Sequence, residues 1–201
     1  MVLRRLGLIG TAVTAAIVVL AGSAQQPRIL FTDQTASSGI TFVLNNCPTQ
    51  HRYLPETMAG GIAAFDFDGD GKLDLFFANG ADMPSLDKTG PQYADRLYHN
   101  DGPLHFTDVT TAAGLAGQGY SIGAAAADFD NDGRIDLFVA GVNGSHLYRN
   151  LGGRFEDVTT SSGLHENRWT VSAAWFDYDR DGLLDLLVVH YVQWSPDLNP
   201  I

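Results

Sequence analysis

The chain has 201 residues and carries 12 Lys and Arg against 23 Asp and Glu, a formal net charge of −11. So acidic a chain offers no basic patch to attract phosphates, which argues against nucleic acid and anionic membrane surfaces as partners. Its one cysteine, Cys47, excludes an intrachain disulfide framework and a cysteine-rich zinc site. With 45% hydrophobic residues it has the material for a packed core, and its acidic residues are mostly Asp, a turn and calcium-loop residue.

The chain begins with Arg4 and Arg5, an uncharged and mostly apolar run over 6–21, and the small residues Gly22-Ser23-Ala24. Sixteen residues are short of the about 20 that a bilayer span needs. Residues 1–24 therefore read as a cleaved secretory signal, with an uncleaved anchor as the alternative. Ser23 stands where a lipidated cysteine would be, which argues against lipidation. The mature chain is expected to be secreted, periplasmic or on the cell surface, with no membrane contact beyond the export signal. Residues 25–59 form a lead-in containing Phe31-Thr-Asp-Gln-Thr35, expected as a strand, and Gly39-Ile40.

From residue 60 onward the sequence repeats itself. Ile62-Ala-Ala-Phe-Asp66, Ala125-Ala-Ala-Asp128 and Ala173-Ala-Trp-Phe-Asp177 each lead into an acidic loop, followed by an apolar run. Leu97-Tyr-His-Asn100 leads to Phe106-Thr-Asp-Val-Thr110, and Leu147-Tyr-Arg-Asn150 leads to Phe155-Glu-Asp-Val-Thr159, and each pair ends in a Gly-Leu. Every unit thus predicts four short strands and no helix of useful length. Four-stranded units of about 50 residues predict an all-β protein, a β-propeller of about two and a half blades, over 60–115, 122–164 and 170–201. Small first strands suit the crowded axis of a propeller; a sandwich core is the alternative, though it does not require so regular a repeat. The extra residues 81–91, polar and marked by Pro and Gly, predict a surface loop insertion.

The three acidic loops share Asp-Xaa-Asp-Xaa-Asp-Gly-Xaa-Xaa-Asp. Their carboxylates are Asp66, Asp68, Asp70 and Asp74, then Asp128, Asp130, Asp132 and Asp136, then Asp177, Asp179, Asp181 and Asp185. Calcium takes six to eight hard oxygens, and a tight turn lets positions 1, 3, 5 and 9 converge, with a backbone carbonyl from position 7: Lys72, Arg134 or Leu183. Glycine at position 6 permits the turn. An EF-hand would need Glu at position 12, where Phe77, Val139 and Val188 stand instead. Magnesium, which keeps its waters, suits an all-protein cage poorly. Three copies holding every Asp predict about three Ca²⁺ sites, because four carboxylates on nine residues repel strongly without a cation.

These loops, with Gly60-Gly61-Ile62 before and Leu-Asp-Leu-Phe after, resemble FG-GAP/VCBS repeats, best known from the integrin α-subunit propeller. Phe31-Thr-Asp-Gln-Thr, His51-Arg-Tyr-Leu-Pro-Glu-Thr-Met-Ala-Gly-Gly61 and Ser172-Ala-Ala-Trp-Phe-Asp-Tyr-Asp resemble the N-terminal part of bacterial proteins similar to cartilage acidic protein. The resemblance implies structural calcium, and a C-terminal ASPIC/UnbV domain and further blades that this chain lacks.

Three further groups of residues stand outside the repeat. His51, Glu56 and Met58 read as a brace before the first blade, against a catalytic reading that finds no partner set. Cys47 reads as an inert small residue. Trp175 reads as core, and Trp169 and Trp194 are the better candidates among the three for an exposed surface that could stack on sugars, a minority reading beside core packing. The expected function is an exported, non-enzymatic, calcium-binding module recognising an extracellular protein or glycan. A propeller enzyme (lyase or hydrolase) and a purely structural surface segment are the alternatives.

Overall fold

The computed structural model describes residues 29–165 and 167–198. The expected signal at 1–24 lies outside the described residues. Residues 33–201 form one compact unit, and the described residues before it, 29–32, have neither helix nor strand.

Within 33–201 the chain forms strands β1 (Ile62–Phe65), β2 (Asp74–Phe77), β3 (Arg96–Gly102) and β4 (His105–Asp108), then a helical turn α1 (Thr110–Ala113). Strands β5 (Tyr120–Ala127), β6 (Asp136–Val142), β7 (His146–Asn150) and β8 (Phe155–Asp157) repeat the set, and β9 (Thr170–Phe176) and β10 (Asp185–His190) begin it again. The sheets are antiparallel meanders in the orders β1-β2-β3-β4, β5-β6-β7-β8 and β9-β10. The fold is all-β, with two full blades and the first two strands of a third among the described residues.

The blades stack through their apolar faces. Phe65, Phe67, Phe76, Leu97 and Leu115 of the first blade meet Leu137, Val139, Tyr148 and Phe155 of the second in one buried cluster. Phe138, Ala140, Leu147 and Val158 of the second blade receive Trp175, Leu186 and Val188 of the third. Full burial of such a side chain contributes about 1.5–3 kcal/mol, so these two clusters carry most of the blade-to-blade adhesion. First strands pack on first strands, β1 on β5 and β5 on β9. A Cβ on Gly61 would stand 2.5 Å from the Gly123 Cα, so the small residues read from the sequence are needed for this close approach.

Three expectations fail here. Segment 31–35 is not a strand; it leads into a 3₁₀ turn over Thr35–Ser37, and no strand pairs with it among the described residues. It nevertheless keeps the local form of a blade end. Thr35 N–H donates to Asp33 Oδ1 at 2.9 Å, as Thr110 does to Asp108 at 3.0 Å and Thr159 to Asp157 at 2.9 Å. Gly39, Gly114 and Gly163 then share φ near +77° (78°, 77° and 77°).

The insertion 81–91 is no free surface loop. Ala81 and Met83 are buried with Tyr53, Tyr120, Ile122 and Val142. The Lys88 ammonium, 8% exposed, donates to the carbonyls of Asn79, Gly80 and Tyr93 and faces Asp95 Oδ1 at 3.1 Å. Burial lowers the Lys88 pKa and raises that of Asp95 to about 6; the three carbonyls aimed at Nζ favour the ammonium. Trp169 and Trp194 are also buried, at 0% and 5% exposure, because the same cluster needs large apolar bodies between Tyr53 and the β5–β9 junction. Tyr191 sets its ring edge-on to Trp169 at 5.4 Å, which accounts for an aromatic residue after β10. Trp175 is packed as expected, stacked on Phe129 at 5.9 Å with its N–H on the Ala125 carbonyl.

Glu56 is the brace anticipated before blade one. Its carboxylate accepts from Thr49 N, Thr49 Oγ1 and Tyr53 N at 2.9, 2.6 and 2.9 Å. His51 is exposed, and Cys47 accepts from the Tyr93 hydroxyl at 3.3 Å.

Candidate metal centres

Each acidic loop joins the first and second strands of its blade, so the repeat places three chemically alike turns at one equivalent position. The first Asp organises the turn. Asp66 accepts from the N–H of Gly69, Asp70 and Gly71; Asp128 from Asp132 and Gly133; Asp177 from Asp181 and Gly182. Position 6 has left-handed backbone, φ 84° at Gly71 and 87° at both Gly133 and Gly182, where a Cβ would be strained. Position 4 is left-handed as well, and there the sequence holds Gly69, Asn131 and Arg180.

The ninth Asp anchors the loop to the sheet. Asp74 is fully buried and accepts from Phe67 N at 3.1 Å and Asn100 N at 2.7 Å. Asp136, also fully buried, accepts from Phe129 N at 3.1 Å and Asn150 N at 2.7 Å. Asp185 receives Tyr178 N at 2.8 Å but is exposed, since no third strand covers it among the described residues.

Positions 1, 3 and 9 converge in all three loops: Asp66 with Asp68 and Asp74, Asp128 with Asp130 and Asp136, and Asp177 with Asp179 and Asp185. Within each trio one carboxylate oxygen from each residue lies inside 4.8 Å of the other two. Position 5 does not join them. Asp70, Asp132 and Asp181 each turn one oxygen to the backbone N–H of position 7, on Lys72, Arg134 and Leu183, at 2.9, 2.9 and 2.8 Å. Asp70 and Asp132 also pair with the Lys72 ammonium and the Arg134 guanidinium. The sequence places a fifth-position carboxylate on the ion; the structure turns it to the backbone N–H of position 7 in all three loops and, in the first two, to a neighbouring cation as well. These Asp-rich groups could hold a metal ion.

The electrostatics fit a cation. Burial raises the pKa of Asp74 and lifts that of Asp136 to about 6, against the bonds from Asn100 and Phe67 or Asn150 and Phe129 that favour the carboxylates. Buried Asp130 Oδ1 has no hydrogen-bond partner. A carboxylate oxygen left without a partner, on a residue that converges with two other carboxylates, suits a hard divalent ion.

The third strand of each blade contributes residues that the sequence reading missed. His99 on β3 brings Nε2 to 3.2 Å from Asp68 Oδ2, and Arg149 at the same place on β7 brings Nε to 2.8 Å from Asp130 Oδ2. Asn150 is fully buried and donates to Ile135 O at 3.0 Å in its own blade and to Phe67 O at 2.7 Å in the first loop. Asn131 likewise reaches Gly182 O of the third loop at 2.9 Å. The acidic loops are thereby joined to one another. The repeated Leu-Tyr-Xaa-Asn was the available signal, since its polar third and fourth positions fit no apolar pattern.

No curated protein matches the chain at a significant level. The profile of the FG-GAP-like repeat matches it twice, over residues 66–139 and 128–188. Together the two matches span 123 of the 201 residues, and both begin on the first Asp of an acidic loop. The chain belongs to the FG-GAP-like repeat family.

Proposed function

We propose that the chain is an exported, non-catalytic recognition or adhesion module whose acidic loops bind calcium as structural ions, one per loop. The supporting observation is the convergence of positions 1, 3 and 9 at the same place in three blades, with a buried, unpartnered Asp130 Oδ1 in the middle one. Calcium suits this donor set because it accepts many oxygens in flexible geometry, and each carboxylate oxygen keeps a lone pair beyond its backbone bond. Bound there, calcium would fix loops that already link blade to blade through Asn131 and Asn150. The blades would then present a stiffened surface to an extracellular protein or glycan.

The composition of residues 1–24 supports export to the periplasm, cell surface or medium. The lead-in motifs support kinship with the propeller part of ASPIC/UnbV-containing proteins. The reading is tested by arraying the calcium-loaded chain on glycans and extracellular proteins, with the chelated chain as control. Saturable binding that needs calcium is the expected outcome. Turnover of an arrayed glycan, or equal signals with and without calcium, would contradict it.

A further inference from the structure

We propose that the first blade carries a second kind of metal site, for a nitrogen-accepting divalent ion of the Zn²⁺ type, built from Asp68, Asp70 and His99. His99 Nε2 lies 3.2 Å from Asp68 Oδ2 and 3.4 Å from Asp70 Oδ2, and one ligand atom from each of the three residues falls within 4.8 Å of the others. Tetrahedral zinc with bonds of about 2.0–2.1 Å holds its donors about 3.3 Å apart. Both His99–Asp separations lie near an edge of that tetrahedron. Calcium takes oxygen ligands, whereas imidazole suits zinc and its neighbours in the first transition series.

The histidine is oriented for this use. Its other nitrogen, Nδ1, lies 2.9 Å from Asp101 Oδ1, and Asp101 Oδ2 is fixed by the Thr107 hydroxyl at 2.7 Å and His105 Nδ1 at 3.1 Å. A carboxylate behind a ligating imidazole fixes its tautomer and raises its basicity, the usual arrangement around zinc. The Phe67 ring packs edge-on against the imidazole at 6.1 Å. The site is partly open, with His99 24% and Asp68 30% exposed in their side chains, which leaves room for water as the fourth ligand.

The second blade serves as an internal control. There the equivalent of His99 is Arg149, a permanent cation that cannot coordinate a metal, and the equivalent of Asp101 is Leu151. Histidine and its orienting carboxylate thus occur together in one blade and are both replaced in the other. In the first blade the Lys72 ammonium rests on Asp70; its exposed side chain must swing away when the ion enters. The site shares Asp68 with the Asp66–Asp68–Asp74 trio, so a bridging carboxylate would connect it to a calcium ion, but it does not depend on that ion.

The test is a Co²⁺ titration of the full chain followed by visible absorption, with Zn²⁺ as competitor, in chelator-treated protein and again in saturating calcium. We expect one Co²⁺, displaced by Zn²⁺. His99→Gln should lower its affinity at least 10-fold, and Asp101→Asn by about 10–100-fold. Lys72→Gln should tighten it. Melting curves in chelator verify that each variant is folded. Co²⁺ binding that is equal in wild type and folded His99→Gln, or absent from wild type in both conditions, would overturn the proposal. His99-dependent cobalt binding in a chain that binds no calcium would sink the calcium reading alone, and the reverse pattern would sink this one alone.

Discussion

Asp130 and Asp136 sit in one loop and share one cluster, yet they do different work. Asp130 keeps an unpartnered oxygen, whereas both oxygens of Asp136 receive backbone N–H groups from Phe129 and Asn150. Asp130→Ala should therefore remove one bound calcium while costing only about 0–1 kcal/mol in chelator, the worth of its half-exposed pair with Arg149. Asp136→Ala should remove the same ion and also cost about 2–3 kcal/mol in chelator, because two buried donors lose their acceptor. Metal analysis with urea unfolding separates the two; equal stability losses would contradict the division of roles. The same carboxylate sets a pH dependence. With its folded pKa raised to about 6 from the ordinary 3.8, Asp136 binds more protons folded than unfolded between those values. It thus adds stability at low pH that is lost as pH rises through 6 in the chelated chain, and Asp74 shifts in the same direction. Calcium requires the ionised form. The calcium-induced rise in melting temperature should be largest at neutral pH and shrink as pH falls through about 6. A rise independent of pH between 5 and 7.5 would contradict burial of Asp136 in the site.

At the scale of the element, the joint between blades is the Asn at the end of the third strand. Asn150 donates to Phe67 O across the blade boundary and accepts from Gly152 and Gly153 in its own hairpin. The side chain of Asn100, its counterpart, donates to Leu73 O in its own blade and accepts from Gly102, with no bond across a blade boundary among the described residues. Asn150→Ala should cost about 2–3 kcal/mol and Asn100→Ala about 1 kcal/mol, read from denaturant midpoints at constant slope. Equal costs would show that the cross-blade bond contributes nothing. The strands themselves were legible in the sequence because repetition supplied several readings of each: Leu97-Tyr98 and Leu147-Tyr148 announce the same strand twice. The acidic turns were legible because Asp and Gly recur at fixed offsets. What was not legible depended on distant partners. Trp169 and Trp194 became core because segment 47–59 and the insertion fold over the β5–β9 junction, a contact no local pattern encodes. Lys88 looks like a solvated loop cation until three carbonyls close around it. Segment 31–35 has strand composition, but composition cannot supply a hydrogen-bonding neighbour.

At the scale of the whole molecule, the third blade has two strands among the described residues, and no described strand pairs with the outer edge of β10. Beside it lies a cavity of about 620 Å³ lined by Leu147, Val158, Leu164, Trp175 and Leu186. Between the first two blades the corresponding space holds Tyr148 and Phe155, from the third and fourth strands of the second blade. An unpaired edge beside an apolar groove favours association. The chain should self-associate in light scattering, with Leu187→Lys, at an exposed position of the β10 edge, reducing it. A monomer at tens of micromolar would show that the edge is adequately protected.

The central claim, that the three repeated acidic loops are calcium sites holding the blades together, is tested most directly by metal stoichiometry with melting in calcium and in chelator. Sites with dissociation constants near 10⁻⁴ M would each add roughly 1.5 kcal/mol in millimolar calcium. Three such sites should raise the melting temperature by roughly 10 °C, with about three ions bound per chain and little effect of magnesium. No bound calcium, and the same melting temperature in calcium and in chelator, would contradict the account.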